Sequence, residues 1–125
     1  MEDLIGSFAR RSGVLPMIAS MALPMITRYF LKKASPQNAS GLMSMLPSGL
    51  KDIFSDDEKN EFTTKQENVP QDQVEQELAD KCFNGDKARA QKAFQEGKKL
   101  LTEKTGQQGQ GIIEGLSGNS EQHRV

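Results

Sequence analysis

The chain has 125 residues, a mass of 13.8 kDa and a formal net charge of −1. That length suits one domain and leaves no room for two full ones, and the net charge supplies no field of one sign that would draw nucleic acid or a membrane. Leu, Ile, Val and Phe together make up about 22% of the chain, just above the level of roughly 20% below which chains tend to stay disordered, so a small core with tails is expected.

Val, Ile, Thr and Tyr are scarce and no run alternates for long, so no strand is predicted. Helix punctuation recurs instead. The expected fold is all-α: a small irregular helical bundle of four to six short helices with a flexible C-terminal tail.

The most apolar stretch runs from Val14 to Ile26 and continues through Tyr29, Phe30 and Leu31. Met17, Met21, Met25 and Tyr29 recur every four residues and share one helical face. Ile18, Ala22, Ile26 and Phe30 form the adjoining row. Pro16 suits a first helical turn. Pro24 does not suit an interior, because it removes one backbone hydrogen bond and crowds the preceding turn, so a break or kink is expected just before it.

Ser35-Pro36 reads as N-cap and first helical residue of a helix to about Leu46, with Ala39, Leu42, Met43 and Leu46 inward. Pro47-Ser48-Gly49 ends it, and Leu50, Ile53 and Phe54 make one short apolar turn. Ser55-Asp56-Asp57-Glu58 is a capping-box pattern that opens an acidic helix to about Gln66, with Phe62 as its main apolar contact. Pro70 is expected at the first position of the next helix, whose apolar stripe is Val74, Leu78 and Cys82. Asn84-Gly85 stops that helix, and Asp86 caps another with Ala90, Ala93, Phe94, Gly97, Leu100 and Leu101 on one side. Lys87, Arg89, Lys92, Lys98 and Lys99 lie across the opposite side. Residues 70–105 thus form a helical hairpin with an acidic first arm and a basic second arm. Gly106 is expected to end its second helix. Gly106 to Gly111 is Gly/Gln-rich and flexible in composition, and Ile112, Ile113 and Leu116 suffice for one docking turn.

The organisation that follows has three parts: an apolar helical core over 1–54, charged amphipathic helices over 55–105, and a flexible tail over 106–125. Charge is blocked to match. Residues 1–51 carry +4, residues 52–80 carry −8 and residues 81–104 carry +4. The near-neutral total is a cancellation of blocks that can pair within or between chains.

The rare residues restrict the chemistry. Cys82 is the sole cysteine, so no internal disulfide forms and no oxidising compartment is needed. His123, the sole histidine, is the third residue from the end, where a nucleophile–histidine pair would lack anchoring. Structural zinc would need four Cys or His ligands and the chain has two. There is no Gly-Lys-Ser/Thr phosphate loop, and Asp56-Asp57-Glu58 lacks the spacing and glycine of a calcium loop. Gly106, Gly109 and Gly111 do not follow a strand, so they form no dinucleotide site. With no Trp and one Tyr there is little to stack on bases. An enzyme would have to work with carboxylates or lysines such as Glu58, Glu61 or Lys65, and no spacing selects them. No catalytic, cofactor-binding or metal-ligating residue, and no cofactor or small-molecule substrate, is expected.

Residues 14–50 resemble the YidB-like family of small bacterial helical proteins of unknown function. The resemblance lies in Leu23-Pro24 with an apolar helix to Leu31, then Ser35-Pro36-Gln37-Asn38 and Gly41-Leu42-Met43. The family's Gly-rich opening is missing and residues 55–105 have no counterpart in it. The resemblance implies a compact helical unit and no established activity.

The function expected from these features is that of a non-enzymatic interaction or assembly protein, cytoplasmic, with a protein partner or a second copy bound through helical packing and no nucleic acid. Met17, Met21, Met25, Tyr29, Phe94 and Leu101 are the candidate contact residues. The alternative is a peripheral membrane protein using the apolar segment 8–33, flanked by Arg10, Arg11, Arg28, Lys32 and Lys33. A signal peptide over 1–22 also has features in its favour: Arg10-Arg11 precedes an apolar run, and Ser20-Met21-Ala22 is small at two of three positions.

Overall fold

The structure is a computed structural model that describes residues 2–117. Those residues form seven helices and no strand: α1 (Glu2–Ser12), α2 (Pro16–Lys33), α3 (Pro36–Met45), α4 (Ser48–Lys51), α5 (Asp56–Thr64), α6 (Gln71–Cys82) and α7 (Lys87–Ser117). The fold is all-α, as the punctuation predicts. The count exceeds the expected four to six because α1 is separate and the apolar turn before Ser55 contains a single-turn helix, α4.

Helix α2 is the hub, in contact with α1, α3, α6 and α7. Its apolar row does what the spacing implies: Ala22, Ile26 and Phe30 are fully buried. Tyr29, Phe30 and Phe94 form the centre of the core, with ring centroids 5.0–5.6 Å apart. A second aromatic pair, Phe54 against Phe62 at 5.5 Å, seals α5 against the chain before it. Residues 1–54 and 55–105 share one hydrophobic core, which runs from Leu4 and Phe8 through Val74 and Leu78 to Leu101 and Ile113.

Helix α2 is not broken at Pro24. The chain breaks earlier, at residues 13–15, where Gly13 has a φ of 71° and the axis of residues 4–12 lies at 101° to that of α2. Pro24 is buried inside the continuous helix. Pro24 has no amide to donate to the Ser20 carbonyl, so α2 continues there on its tertiary packing despite one missing backbone bond.

The predicted caps are present. Ser35 Oγ accepts from the Asn38 amide at 3.3 Å. Ser55 and Glu58 cap each other reciprocally. Asn84 adopts a left-handed φ of 53°, and the Gly85 amide donates back to the Ala79 carbonyl at 2.7 Å, closing α6. Asp86 Oδ1 accepts from the Arg89 amide and opens α7. Pro70 is the N-cap of α6 and not its first residue. The segment after α5 also ends α2: the Glu67 amide donates to the Lys32 carbonyl and Gln66 Nε2 to the Lys33 carbonyl.

The hairpin of α6 and α7 closes as expected. Ala90, Ala93, Phe94, Leu100 and Leu101 are buried, as are Val74 and Leu78 opposite, while Cys82 is half-buried. One ion pair crosses between the arms, Lys87 to Asp72 at 3.2 Å. Glu75 lies between the arms with only 5% of its surface exposed and accepts from Gln71 at 2.9 Å and Gln91 at 3.2 Å.

The expected flexible tail is corrected over residues 106–117. Gly106 does interrupt the helix, at a non-helical φ of 76° and ψ of −167°, but a second helical stretch follows it and runs to Ser117. The physical reason is tertiary. Ile113 is buried against Thr27, Phe30, Leu31, Leu42, Leu46, Leu101 and Thr105, so one docked side chain orders a stretch whose composition alone would not. Residues 118–125, including His123, lie outside the described residues.

Candidate interaction surface

The methionine face of α2 runs from solvent to core. Met17 is 71% exposed, Met21 45%, Met25 half-buried and Tyr29 only 2%. With Leu15, 69% exposed, Met17 and Met21 form an apolar corner at the turn between α1 and α2, and half-buried Val14 and Ile18 adjoin it. The corner is built by the backbone. The Val14 amide donates to the Ala9 carbonyl at 3.0 Å, and Gly13 turns the chain so that Leu15 occupies the N-cap of α2. Leu15 can accept no side-chain capping bond, so it does nothing for the helix start that Ser or Asp would do better.

Farther along the same face, Met25 lines a half-open cleft of about 180 Å³ between α2 and α6. Tyr29, Val69 and Val74 supply the rest of its apolar and aromatic lining. Arg28 and Lys32 stand on the α2 side, with Glu67, Gln73 and Glu77 opposite. Its volume is below the range of about 300–1,000 Å³ usual for small-molecule sites.

Of the six candidate contact residues, the structure brings Met17 and Met21 to the surface and Met25 to its edge. Phe94 and Leu101 are core residues inside the bundle, and Tyr29, 2% exposed, shows only an edge to the cleft beside Met25. Their burial is the correction that tertiary packing imposes on a reading of apolar stripes. Leu15 was not singled out in the sequence; the available signal was an apolar residue at an N-cap position directly before Pro16.

The cations that flank segment 8–33 are mostly engaged within the protein. Arg11 makes two hydrogen bonds to Glu103, at 2.7 and 3.1 Å. Those bonds raise the Arg11 pKa and hold the Glu103 carboxyl below the usual carboxylate range. Arg28 pairs with Glu58 at 3.0 Å and stacks over Phe54 at 5.2 Å. Lys32 lies 3.8 Å from Glu67, and Lys33 donates to the Tyr29 hydroxyl at 3.2 Å. Arg10 is exposed and donates to Ser7. No single described helix is long and apolar enough to cross a membrane, although α1 and α2 together pass that test as a bent pair.

Of the residues that carboxylate or lysine chemistry would use, Glu61 and Lys65 are exposed and Glu58 is engaged in the structure. Glu58 bridges a helix cap and Arg28. Burial pushes the Cys82 thiol up in pKa against the smaller opposing pull of Lys81, which keeps it protonated and weakly nucleophilic. Among the described residues, no group of three or more His, Cys, Asp or Glu side chains could hold a metal ion. No protein-family model, characterised protein or solved structure matches the chain.

Proposed function

We propose that the protein is a non-enzymatic interaction or assembly protein that binds itself or a protein partner through helical packing. The observation that carries this reading is the apolar corner of Leu15, Met17 and Met21. Three of the four exposed large hydrophobic side chains among the described residues fall within seven positions at the start of α2, Ile53 being the fourth; such exposure is costly in water, and apolar patches mark contact sites. Two of the three are methionines, whose flexible thioethers adapt to a partner's shape.

The test is light scattering and dye binding at micromolar concentration. The wild-type chain should self-associate or bind an apolar-surface dye, and the triple variant Leu15→Ser, Met17→Ser, Met21→Ser should do neither while keeping its helical circular dichroism. A wild-type chain that is a compact monomer without dye binding overturns the reading.

The alternative, contact with a membrane surface through segment 8–33, shares the same corner, with exposed Arg10 beside it in sequence. It has less behind it, because Arg11, Arg28 and Lys32 already face carboxylates. Flotation with anionic vesicles, weakening as salt rises, would favour it over protein contact.

A further inference from the structure

Residues 107–117 behave as a strap on the bundle. The strap follows a glycine bend and lies in a groove between α2, α3 and the first part of α7. Its hold is narrow. Ile113 is its one fully buried large side chain, and Ile112 and Leu116 are half-buried. Gly109, Gly111 and Gly115 lower its intrinsic helicity. Gly109 is itself required by the bend: a Cβ there would overlap the Thr105 side chain. The groove beneath is different in character. Phe30, Leu31, Leu42, Leu46 and Leu101 are buried and belong to the main core. A strong apolar groove is therefore covered by a weak strap.

The hinge is seen in its bent state. At φ 76° and ψ −167°, Gly106 sits in a region that essentially only glycine occupies. In a straight helix Gly106 would take ordinary helical angles, and the strap would project away from its own groove. We propose that this groove is an exchange site for a second copy of the chain: α7 straightens at Gly106 and each copy seats Ile113 in the other's groove. The occupant is fixed by the structure, since the segment already seated there in one chain fits the identical groove of another without new contacts. In the closed form the strap competes from a high effective concentration, so exchange is opposed by that advantage as well as by the bent hinge. The inference does not rest on the Leu15 corner, which lies on a different part of the molecule's surface and is not needed for it.

The hinge is the place to test it. Gly106→Ala strains the bent form and favours the straight one. The strain is worth about tenfold per hinge, and a dimer has two, so the dimer dissociation constant should fall by about a hundredfold. Light scattering over a concentration series should then show the doubling of mass at about a hundredfold lower concentration than for the chain with Gly106. Adding Ile113→Asp to Gly106→Ala should abolish that doubling. If Gly106→Ala leaves that concentration unchanged, or if the doubled mass survives Ile113→Asp, the proposal is wrong. Hydrogen exchange on the unaltered protein gives a second measure that needs no variant. Amides of 107–117 should exchange at least about tenfold faster than those of 90–101, and equal protection overturns the weak strap on which the exchange depends.

Discussion

At the scale of single residues, position along α2 separates contact from core more sharply than residue type does. Met17 and Tyr29 lie on one helical face, yet one is mostly exposed and the other is packed between Phe30 and Phe94. Phe94 is wholly buried in that aromatic centre. Phe94→Ala should therefore cost about 3–5 kcal/mol, as a transfer loss plus an unfilled cavity. Met17→Ala removes a side chain already in water and should change stability by no more than about 0.5 kcal/mol. Chemical denaturation of the two variants checks both. Equal losses would mean that Met17 is packed as Phe94 is, and would remove the apolar corner as a free surface.

At the scale of elements, what was legible in the sequence is what depends on neighbours a few residues away. Ser35 before Pro36, Ser55 with Glu58, Asn84-Gly85 and Asp86 satisfy backbone groups within their own turn, so their residue types alone specify the helix ends. Pro24 and Gly106 are different. Pro24 is a breaker by local chemistry that packing overrides, since α2 is held on several sides, whereas Gly106 does break the helix and it is the stretch beyond it that depends on distant packing, through Ile113 and residues of α2 and α3. The contact surface was half legible for the same reason. Spacing placed the methionines on one face, but only the turn at Gly13 decides how much of that face meets solvent. Gly97 shows a requirement of the same distant kind. It stands where α7 comes closest to α2 and α1, and a Cβ there would lie 2.9 Å from Ile26 Cδ1 and 3.3 Å from Phe8 Cε1. Ala at this site gains helix propensity of about 1 kcal/mol against that crowding, so the two effects oppose. Gly97→Leu adds far more volume to the same fully buried contact. Overpacking should then dominate, with a loss of at least about 2 kcal/mol read from the shift in urea midpoint. An unchanged midpoint would show that α7 does not seat against Ile26 as closely as described.

At the scale of the whole molecule, the three charge blocks are tied together by ion pairs that cross between them. Arg28–Glu58 and Lys32–Glu67 join the first basic block to the acidic one, Lys87–Asp72 joins the acidic block to the second basic one, and Arg11–Glu103 joins the two ends. All of these pairs are partly or largely exposed, so each adds little and all are screened by salt. The Arg11–Glu103 pair bears on pH dependence. Hydrogen bonding and attraction from Arg11 hold the Glu103 pKa below its ordinary value in the folded chain. A carboxyl so lowered contributes stability that is fully present above its unfolded pKa and is lost as pH falls through the folded one. Arg11→Gln removes the charge that lowers Glu103, so the variant should lose less stability than wild type as pH is lowered through the carboxylate range, starting from a slightly less stable protein at neutral pH. The two stability curves should converge in acid. Parallel curves in thermal unfolding across that range would show that Arg11 and Glu103 are not coupled, and that the two ends of the charge pattern are joined only by the apolar contact of α1 with α7.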